Sequence, residues 1–495
     1  MLVHELLKTG RDEDPAVVDG GRSFAYAELR ALTRAYRNHL YAQGIRIHDR
    51  VAIFSHKNIH YIAAYMAIAS LGAVAVPINV QLSQREIGYI LKDSGSSLLL
   101  TDRPFDWSGM PQYQDLAAAV RELAIDAYAE TAAPEAPALP ADFSSQQPCI
   151  IIYTSGTTGH HKGALLSHDN VTYNAQQVQD VLHIRREDRI LCVLPLYHCF
   201  CLITSLMNPL LAGASIVLFD SYTLKNVVQD IRTYGLTVLY LVPSICSVLI
   251  QTASPEDLRT VRYTILGGTA LPLSILKAFE EKFRMPIIEG YGLSEASPVV
   301  SVNPPRRVKP GSIGVELPGI TTRIVDEQER DVAPGERGQL LVRGRNVMLG
   351  YWHRPKETAQ TLSGGWLHTG DVVRRDEDGY LFIVDRIKEL IISMGENIYP
   401  REIEELLYSY PHIRDAAVIG VPDKMRGHVG CCYYTVEPGF DVTGRELKKY
   451  LQQNLALYKV PRMFHKLESM PRLATGKIAK KALKDIYAKA VQDRR

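Results

Sequence analysis

The sequence predicts an α/β protein, with a large N-terminal region of α/β subdomains, a small β-rich subdomain, and a smaller α+β region at the C-terminal end. Three observations carry this. Short β-branched runs alternate with stretches of helical period through the first half of the chain; residues 311 to 351 turn to short strands punctuated by Gly and Pro; and about a hundred residues after Arg386 form a block of their own. Apolar residues recur at helical spacing from Phe24 to Leu40, and Arg50 to Phe54 is a short strand run. A second helix-like stretch leads into AVAVPINV, and strand runs return in SSLLLTD (96–102), CIIIYTSG (149–156), ASIVLFD (214–220), LTVLYLVP (236–243) and RYTILGG (262–268). Between them, the Ala- and Pro-rich segment from Tyr128 to Pro148 predicts an exposed connector. No period of 20 to 50 residues repeats, which excludes solenoids and propellers.

Composition narrows the function. The chain has 495 residues, 46% hydrophobic and 22% charged, so it can bury a substantial core. Lys and Arg number 56 and Asp and Glu 54; a net charge of +2 supplies no general field for nucleic acid, and recognition must be local. Seven cysteines show neither paired CxxC spacing nor the density of a secreted framework, which predicts a reducing, cytoplasmic setting. Two stretches lack any charged residue, Asn58–Gln84 and Ile190–Phe219. Each is long enough to span a bilayer, but internal Pro, Gly, His and Asn mark both as short buried elements broken by turns. The N-terminus carries acidic residues and no apolar run, so no secretory signal is expected there.

The densest chemical signal is YTSGTTGHHKGALLSH, Tyr153 to His168, directly after an apolar strand. Hydroxyls at Thr154, Ser155, Thr157 and Thr158, glycines at Gly156, Gly159 and Gly163, and the cation of Lys162 suit a backbone that wraps phosphate oxygens. The pattern is neither GxxxxGK[ST] nor GxGxxG, so P-loop and Rossmann logic do not transfer. Alone, such a cluster is more often a surface turn; its place after a buried strand and its lysine favour phosphate. In EGYGLSEASP (289–298), Gly290 and Gly292 permit a tight turn beside a ligand plane, Tyr291 offers a ring, and Glu295 a hard carboxylate for Mg²⁺. Asp371 in LHTGDVV and Arg386 in DRIKEL supply an acceptor pair and a donor fork. Lys477 in ATGKIAK is, by composition, one lysine among Lys480, Lys481 and Lys484.

In these motifs, and in their order, the sequence resembles the adenylate-forming superfamily of acyl-CoA synthetases, peptide-synthetase adenylation domains and luciferases. The family loop reads approximately [ST]SG[ST]TGxPKG, and here His161 replaces the proline. LPLYHCF (194–200), GGTALP (267–272), GYGLSE, LHTGD, DRIKELIISMGENIYPREIEE (385–405) and PRLATGKIAKKAL (471–483) follow in the family's order. The resemblance implies an N-terminal domain of residues 1–385 and a mobile C-terminal domain of residues 386–495, hinged near Lys388. It implies that Gly267, Gly268, Thr269 and Tyr291 border adenine, that Ser294 keeps an α-phosphate hydroxyl, that Glu295 holds the metal, and that Asp371 and Arg386 serve the ribose. It makes Lys477 the catalytic lysine that reaches across from the C-terminal domain, and Gly395 the residue that admits a pantetheine arm, with Met394 beside it where glycine is common.

An enzyme built in this way is expected to be an ATP-dependent ligase. It activates a carboxylic acid to acyl-AMP and passes it to the thiol of CoA, using ATP, Mg²⁺ and CoA. The segment LPLYHCFCLITSLMNPLL contains no carboxylate to pair with an α-ammonium, which disfavours an amino acid, and it resembles bacterial fatty-acid CoA ligases more than aryl or acetyl enzymes. A medium- or long-chain fatty acid is therefore expected, with His198 either gating the pocket or serving as a core histidine. Alternatives are a ligase that loads a carrier protein's phosphopantetheine, suggested by CCYY at 431–434, an aryl acid CoA ligase, a luciferase-like oxygenase and a non-catalytic nucleotide-binding module. The expected partners are the acid, ATP and CoA, with an acyl carrier protein and a second copy of the chain as further candidates, and no nucleic acid or integral membrane segment.

Overall fold

The computed structural model describes residues 1–108, 113–127, 133–155, 161–219, 224–268, 271–394, 396–423, 425–473 and 477–492; for Gln114, Ser155, Leu224, Lys225 and Gln492 it describes the backbone alone. The fold is α/β, with four sheets among these residues. The first sheet has a parallel centre in the order Tyr263–Leu266, Val238–Leu241, Arg189–Cys192, Ser215–Leu218. The strand Ile287–Gly292 extends it in parallel, and Val299–Val302 then turns it antiparallel. Parallel strands need crossovers and bury both faces, which is why these runs read as nearly continuous Val, Ile and Leu.

The second sheet runs in the order Gly350–Tyr351, His161–Ser167, Pro148–Ser155, Val74–Pro77, Arg50–Phe54, Leu98–Thr101, Arg121–Ala124. Between the two sheets lies the first charge-free stretch. It forms the helix Ile59–Ser70, whose N-cap Asn58 accepts a hydrogen bond from the Tyr61 amide at 2.8 Å. Nearly all of its residues are buried, so it shows no polar face. Gly72, at φ +68°, turns the chain into the strand Val74–Pro77. The second charge-free stretch is likewise broken, into the strand Arg189–Cys192, a helical run from Cys199 to Ala212 with a π-helical turn at Leu202–Met207, and the strand Ser215–Leu218. Among the described residues no helix is long and apolar enough to cross a membrane. All seven cysteines are free and buried.

Two sequence readings change. The small β unit extends beyond Tyr351: its sheet joins Thr321–Val325, Arg337–Arg343, Leu367–Arg375 and Leu381–Arg386, while Gly350–Tyr351 leaves to pair with His161–Ser167 of the second sheet. A short strand's partner is set by whichever edge is open in space, which composition does not record. The connector is exposed over most of its described length but is pinned: Ala136 is buried, its amide donates to Asn38 and its carbonyl accepts from Arg37 at 2.8 Å, while Phe143 packs over Gly72. After Arg386 a fourth sheet, in the order Glu396–Ile398, Ile391–Ser393, Gly427–Val436, Ile413–Asp423, takes Met463–Lys466 in parallel beside Gly427–Val436. Helices Pro400–Tyr408, Gly444–Asn454 and Lys480–Gln492 cover it.

Candidate active site

The site lies where the ends of the two sheets, the β-rich sheet and the C-terminal region meet. The described ends of the glycine-rich loop face each other in an antiparallel ladder, Thr154 opposite Lys162 and Tyr153 opposite Gly163. Gly156, Thr157, Thr158 and Gly159, with His160, lie outside the described residues, as do Thr269 and Gly395. The ladder admits no bulk at Gly163, where a Cβ would stand 2.5 Å from Ile151. The helix Gln84–Ser94 braces both strands. Tyr153 Oη donates to Asp93 at 2.7 Å, Tyr89 Oη donates to the His161 carbonyl at 3.1 Å, and the His161 ring lies 3.3 Å from Glu86. Arg354 bonds Asp93 and the Tyr89 hydroxyl, both at 2.8 Å.

Across from the loop, Gly267 ends its strand against Phe200, where a Cβ would meet the ring at 2.9 Å, and Gly268 takes φ +79°. Gly290 and Gly292 lie in the neighbouring strand, and a Cβ on Gly292 would stand 2.0 Å from the Pro298 carbonyl oxygen. That backbone cannot carry any other residue unchanged. Ser294 and Glu295 follow in a single turn, Ser294–Ala296. The Ser294 hydroxyl lies 3.1 Å from the Cys199 thiol, and Tyr351 Oη donates to Glu295 Oε1 at 2.7 Å. Lys162 places its ammonium 5.2 Å from the centre of the Tyr351 ring. One phenol thus holds a carboxylate oxygen with its hydroxyl while its ring lies beside a cation.

Asp371 is buried at 3% exposure, and both of its oxygens already have protein partners: Tyr291 Oη donates to Oδ2, and the Arg386 guanidinium forms an ion pair with Oδ1 at 2.9 Å. Asp371 and Arg386 are register partners on adjacent strands, so the pair is built by the ladder itself. The expected acceptor pair is therefore engaged, and a ribose hydroxyl would use the remaining lone pairs. Burial, reinforced by Asp371, raises the Tyr291 phenol well above its ordinary pKa, which keeps it a donor.

Lys477 arrives from the opposite end of the chain. Its loop is held by the Leu473 amide, which donates to the Lys477 carbonyl at 2.8 Å, and by a bridge between Arg472 and Ile478. Burial pushes the Lys477 ammonium down to about 8, with the Arg386 charge next in size; Cys199 and Asp371 oppose the fall and Lys388 adds to it. These charges lie within electrostatic reach of the ammonium. His198 accepts from the Phe200 amide at 3.3 Å, and burial pushes it down to about 4, with the Lys477 charge adding to the effect. It is therefore a neutral imidazole that caps a turn beside the lysine. Burial pushes the Cys199 thiol up to about 11. Lys388 is exposed in the turn Ile387–Glu389, and Met394, at φ +52°, is 69% exposed.

The structure therefore brings together Lys162, Gly267, Gly290, Tyr291, Gly292, Ser294, Glu295, Asp371, Arg386, His198 and Lys477. Sequence reasoning missed Tyr351, which fixes Glu295 from 56 residues away, Cys199 beside Ser294, and Asp93 holding Tyr153. GYW at 350–352 offered only an aromatic pair with no motif around it. Lys162, Arg386 and Lys477 supply three cations whose chemistry suits a polyanion. Among the described residues no group of three or more His, Cys, Asp or Glu side chains could hold a metal ion. A lone carboxylate fits Mg²⁺, which takes one or two protein oxygens and fills its shell from phosphate and water.

Residues 7–352 match the family described as AMP-binding enzyme, and residues 402–477 match its C-terminal domain. The chain is 36% identical over 475 residues, 94% of each chain, to a feruloyl-CoA synthase of Amycolatopsis sp, and 32% identical to the fatty acid–[acyl-carrier-protein] ligase ScoC of Streptomyces coeruleorubidus, covering 96% of this chain and 93% of that one. Among solved structures, ATP-bound MatB from Rhodopseudomonas palustris superposes with a TM-score of 0.92 at 29% identity, covering 98% and 99% of the two chains. The apo form of the same protein gives 0.79.

Proposed function

This chain belongs to the AMP-binding enzyme family, and on that premise we propose that it activates a carboxylic acid bearing an uncharged tail and passes the acyl group to the thiol of CoA. It is an acid–thiol ligase that uses ATP, Mg²⁺ and CoA. A carboxylate resists nucleophiles because resonance and negative charge both oppose attack. In the first half reaction one of its oxygens attacks the α-phosphorus of ATP, the bond from Pα to the bridging oxygen breaks, and pyrophosphate leaves with the electron pair. In the second, the CoA sulfur attacks the carbonyl carbon of acyl-AMP, the bond from that carbon to the phosphate oxygen breaks, AMP departs, and the thiol proton goes to solvent.

The roles rest on chemistry and position. Lys162 and the loop hydroxyls draw charge from the departing pyrophosphate. Glu295, oriented by Tyr351, would hold Mg²⁺, which when bound offsets charge on the phosphate oxygens. Ser294 donates to the α-phosphate, and Asp371 with Arg386 orients the ribose. Lys477 neutralises charge between the carboxylate and the α-phosphate. The single observation that carries this reading is Lys477, from residues 386–495, whose ammonium is largely buried and within electrostatic reach of Arg386 and Asp371. We assign residues 1–385 and 386–495 as the two domains, with Lys388 as the hinge and a strand near Gly395 serving CoA after rotation. The better fit to an ATP-bound relative than to its apo form supports reading this arrangement as the one competent for adenylation.

For the acid, Phe200 stacks edge-on against Tyr240 at 6.0 Å and closes over Gly267, an aromatic floor that suits a compact aromatic acid. The feruloyl-CoA relative supports the same reading. A medium- or long-chain fatty acid is the second reading, favoured by the charge-free lining and by the ligase ScoC, whose name also supports a carrier-protein acceptor. The test is exchange of labelled pyrophosphate into ATP with hydroxycinnamic acids and with saturated acids of graded length, followed by thioester yield with CoA and with holo carrier protein. Exchange with no acid of either class overturns the proposal.

A further inference from the structure

Lys480 opens the helix Lys480–Gln492, three residues after Lys477. Lys481 and Lys484 beside it are exposed, whereas the Lys480 ammonium turns inward, donating to Glu389 Oε2 at 2.7 Å and standing 2.9 Å from Glu404 Oε1. The same Glu404 oxygen accepts the Val418 amide at 2.7 Å, so the triad is tied to the fourth sheet as well. Burial alone would lower the Lys480 pKa, but Glu404 and Glu389 outweigh it and raise it. Glu389 closes the turn that contains Lys388, and Glu404 lies on the helix Pro400–Tyr408. At the other end of the lysine loop, Arg472 pairs with Asp415, and the Ala479 amide closes on the Pro471 carbonyl at 2.8 Å.

Lys477 thus lies between two sets of anchored residues, and the downstream anchor is a charge tied to the turn about which the C-terminal region would pivot. A lysine side chain is long and flexible, so where its ammonium comes to rest depends on where its backbone starts, and about 1 Å of misplacement can cost roughly 100-fold in rate. A buried three-member ion cluster is poor evidence for stability, since apolar residues of the same volume often serve as well, but it can fix one arrangement against others.

We propose that Lys480 is a positioning residue for adenylation: its pairing with Glu389 and Glu404 fixes the loop of Lys477 relative to the turn at Lys388. This rests on the adenylating role proposed for Lys477. The test compares Lys480→Met, Lys480→Arg, Lys477→Ala and the double variant Lys477→Ala/Lys480→Met in the full chain. It measures pyrophosphate exchange, thioester formation from supplied acyl-adenylate, and Tm. Lys480→Met is expected to lose roughly 10- to 100-fold in exchange while thioester formation stays within about threefold. Lys480→Arg should recover most of the exchange, and the double variant should be no worse than Lys477→Ala, because both act through one ammonium. If Lys480→Met does not fold, Glu389→Gln, which weakens one arm of the cluster, must show the same split between half reactions. Exchange within about twofold of the parent, or an equal fall in both half reactions, overturns the proposal. Full exchange in Lys477→Ala would instead overturn the role of Lys477 itself.

Discussion

Tyr351 spends its hydroxyl on one oxygen of Glu295, and its ring lies beside Lys162, so one phenol contacts both the carboxylate proposed to hold Mg²⁺ and the cation proposed to meet pyrophosphate. Tyr351→Phe removes a hydrogen bond to a charged acceptor, worth about 1.5 kcal/mol or more, while keeping the ring. The Mg²⁺ concentration for half-maximal pyrophosphate exchange should rise about tenfold, with a smaller change at saturating Mg²⁺. Lys477 gives two predictions. Lys477→Ala should cut exchange by about 100- to 1000-fold, the range for losing one oriented charge donor, while thioester formation from supplied acyl-adenylate is retained. Its ammonium titrates near 8 and acts as a cation, so kcat/KM for exchange should hold below that pH and fall as pH rises through it. A flat profile to pH 9.5 would contradict this.

Among the elements, the strand Ile287–Gly292 shows how a backbone can be specified by what it cannot hold. A Cβ at Gly292 would overlap the Pro298 carbonyl, a backbone atom that cannot rotate away. Gly292→Ala must therefore shift either this strand or the turn that carries Ser294 and Glu295, and overpacking of this kind costs about 1 to 3 kcal/mol. The Tm should fall, and affinity for ATP with it; an unchanged Tm with normal exchange would show that the backbone yields freely. The helix Gln84–Ser94 makes a different point. The glycine-rich loop lacks the proline its family usually carries, and this helix clasps His161 at both its ring and its carbonyl. The sequence displayed the missing proline openly, but the clasp comes from residues about 70 positions upstream that nothing local singled out.

At the level of the whole molecule, the turn Ile387–Glu389 is the only chain link from the β-rich sheet, which ends at Arg386, to the fourth sheet, which begins at Ile391 with the pair Ile391–Ile398. Lys388→Pro stiffens that link by fixing φ. Adenylation should persist, because the arrangement described here already seats Lys477, while overall turnover to the thioester should fall by about tenfold or more. Equal rates for both half reactions and for turnover would argue against a pivot there.

The order of the motifs and the strand runs of both large sheets were legible in the sequence, because each depends on residue type and on neighbours a few positions away, and the roles proposed for the loop, Glu295 and Asp371 start from the same local signals. Which two lysines of four turn inward, which phenol steadies Glu295, and which edge takes Tyr351 were decided only by the tertiary structure. Those contacts join residues from 56 to nearly 190 positions apart, and their energies exist only once packing has brought the partners together and removed the water between them. Composition lists the charges, but burial selects which of them meet.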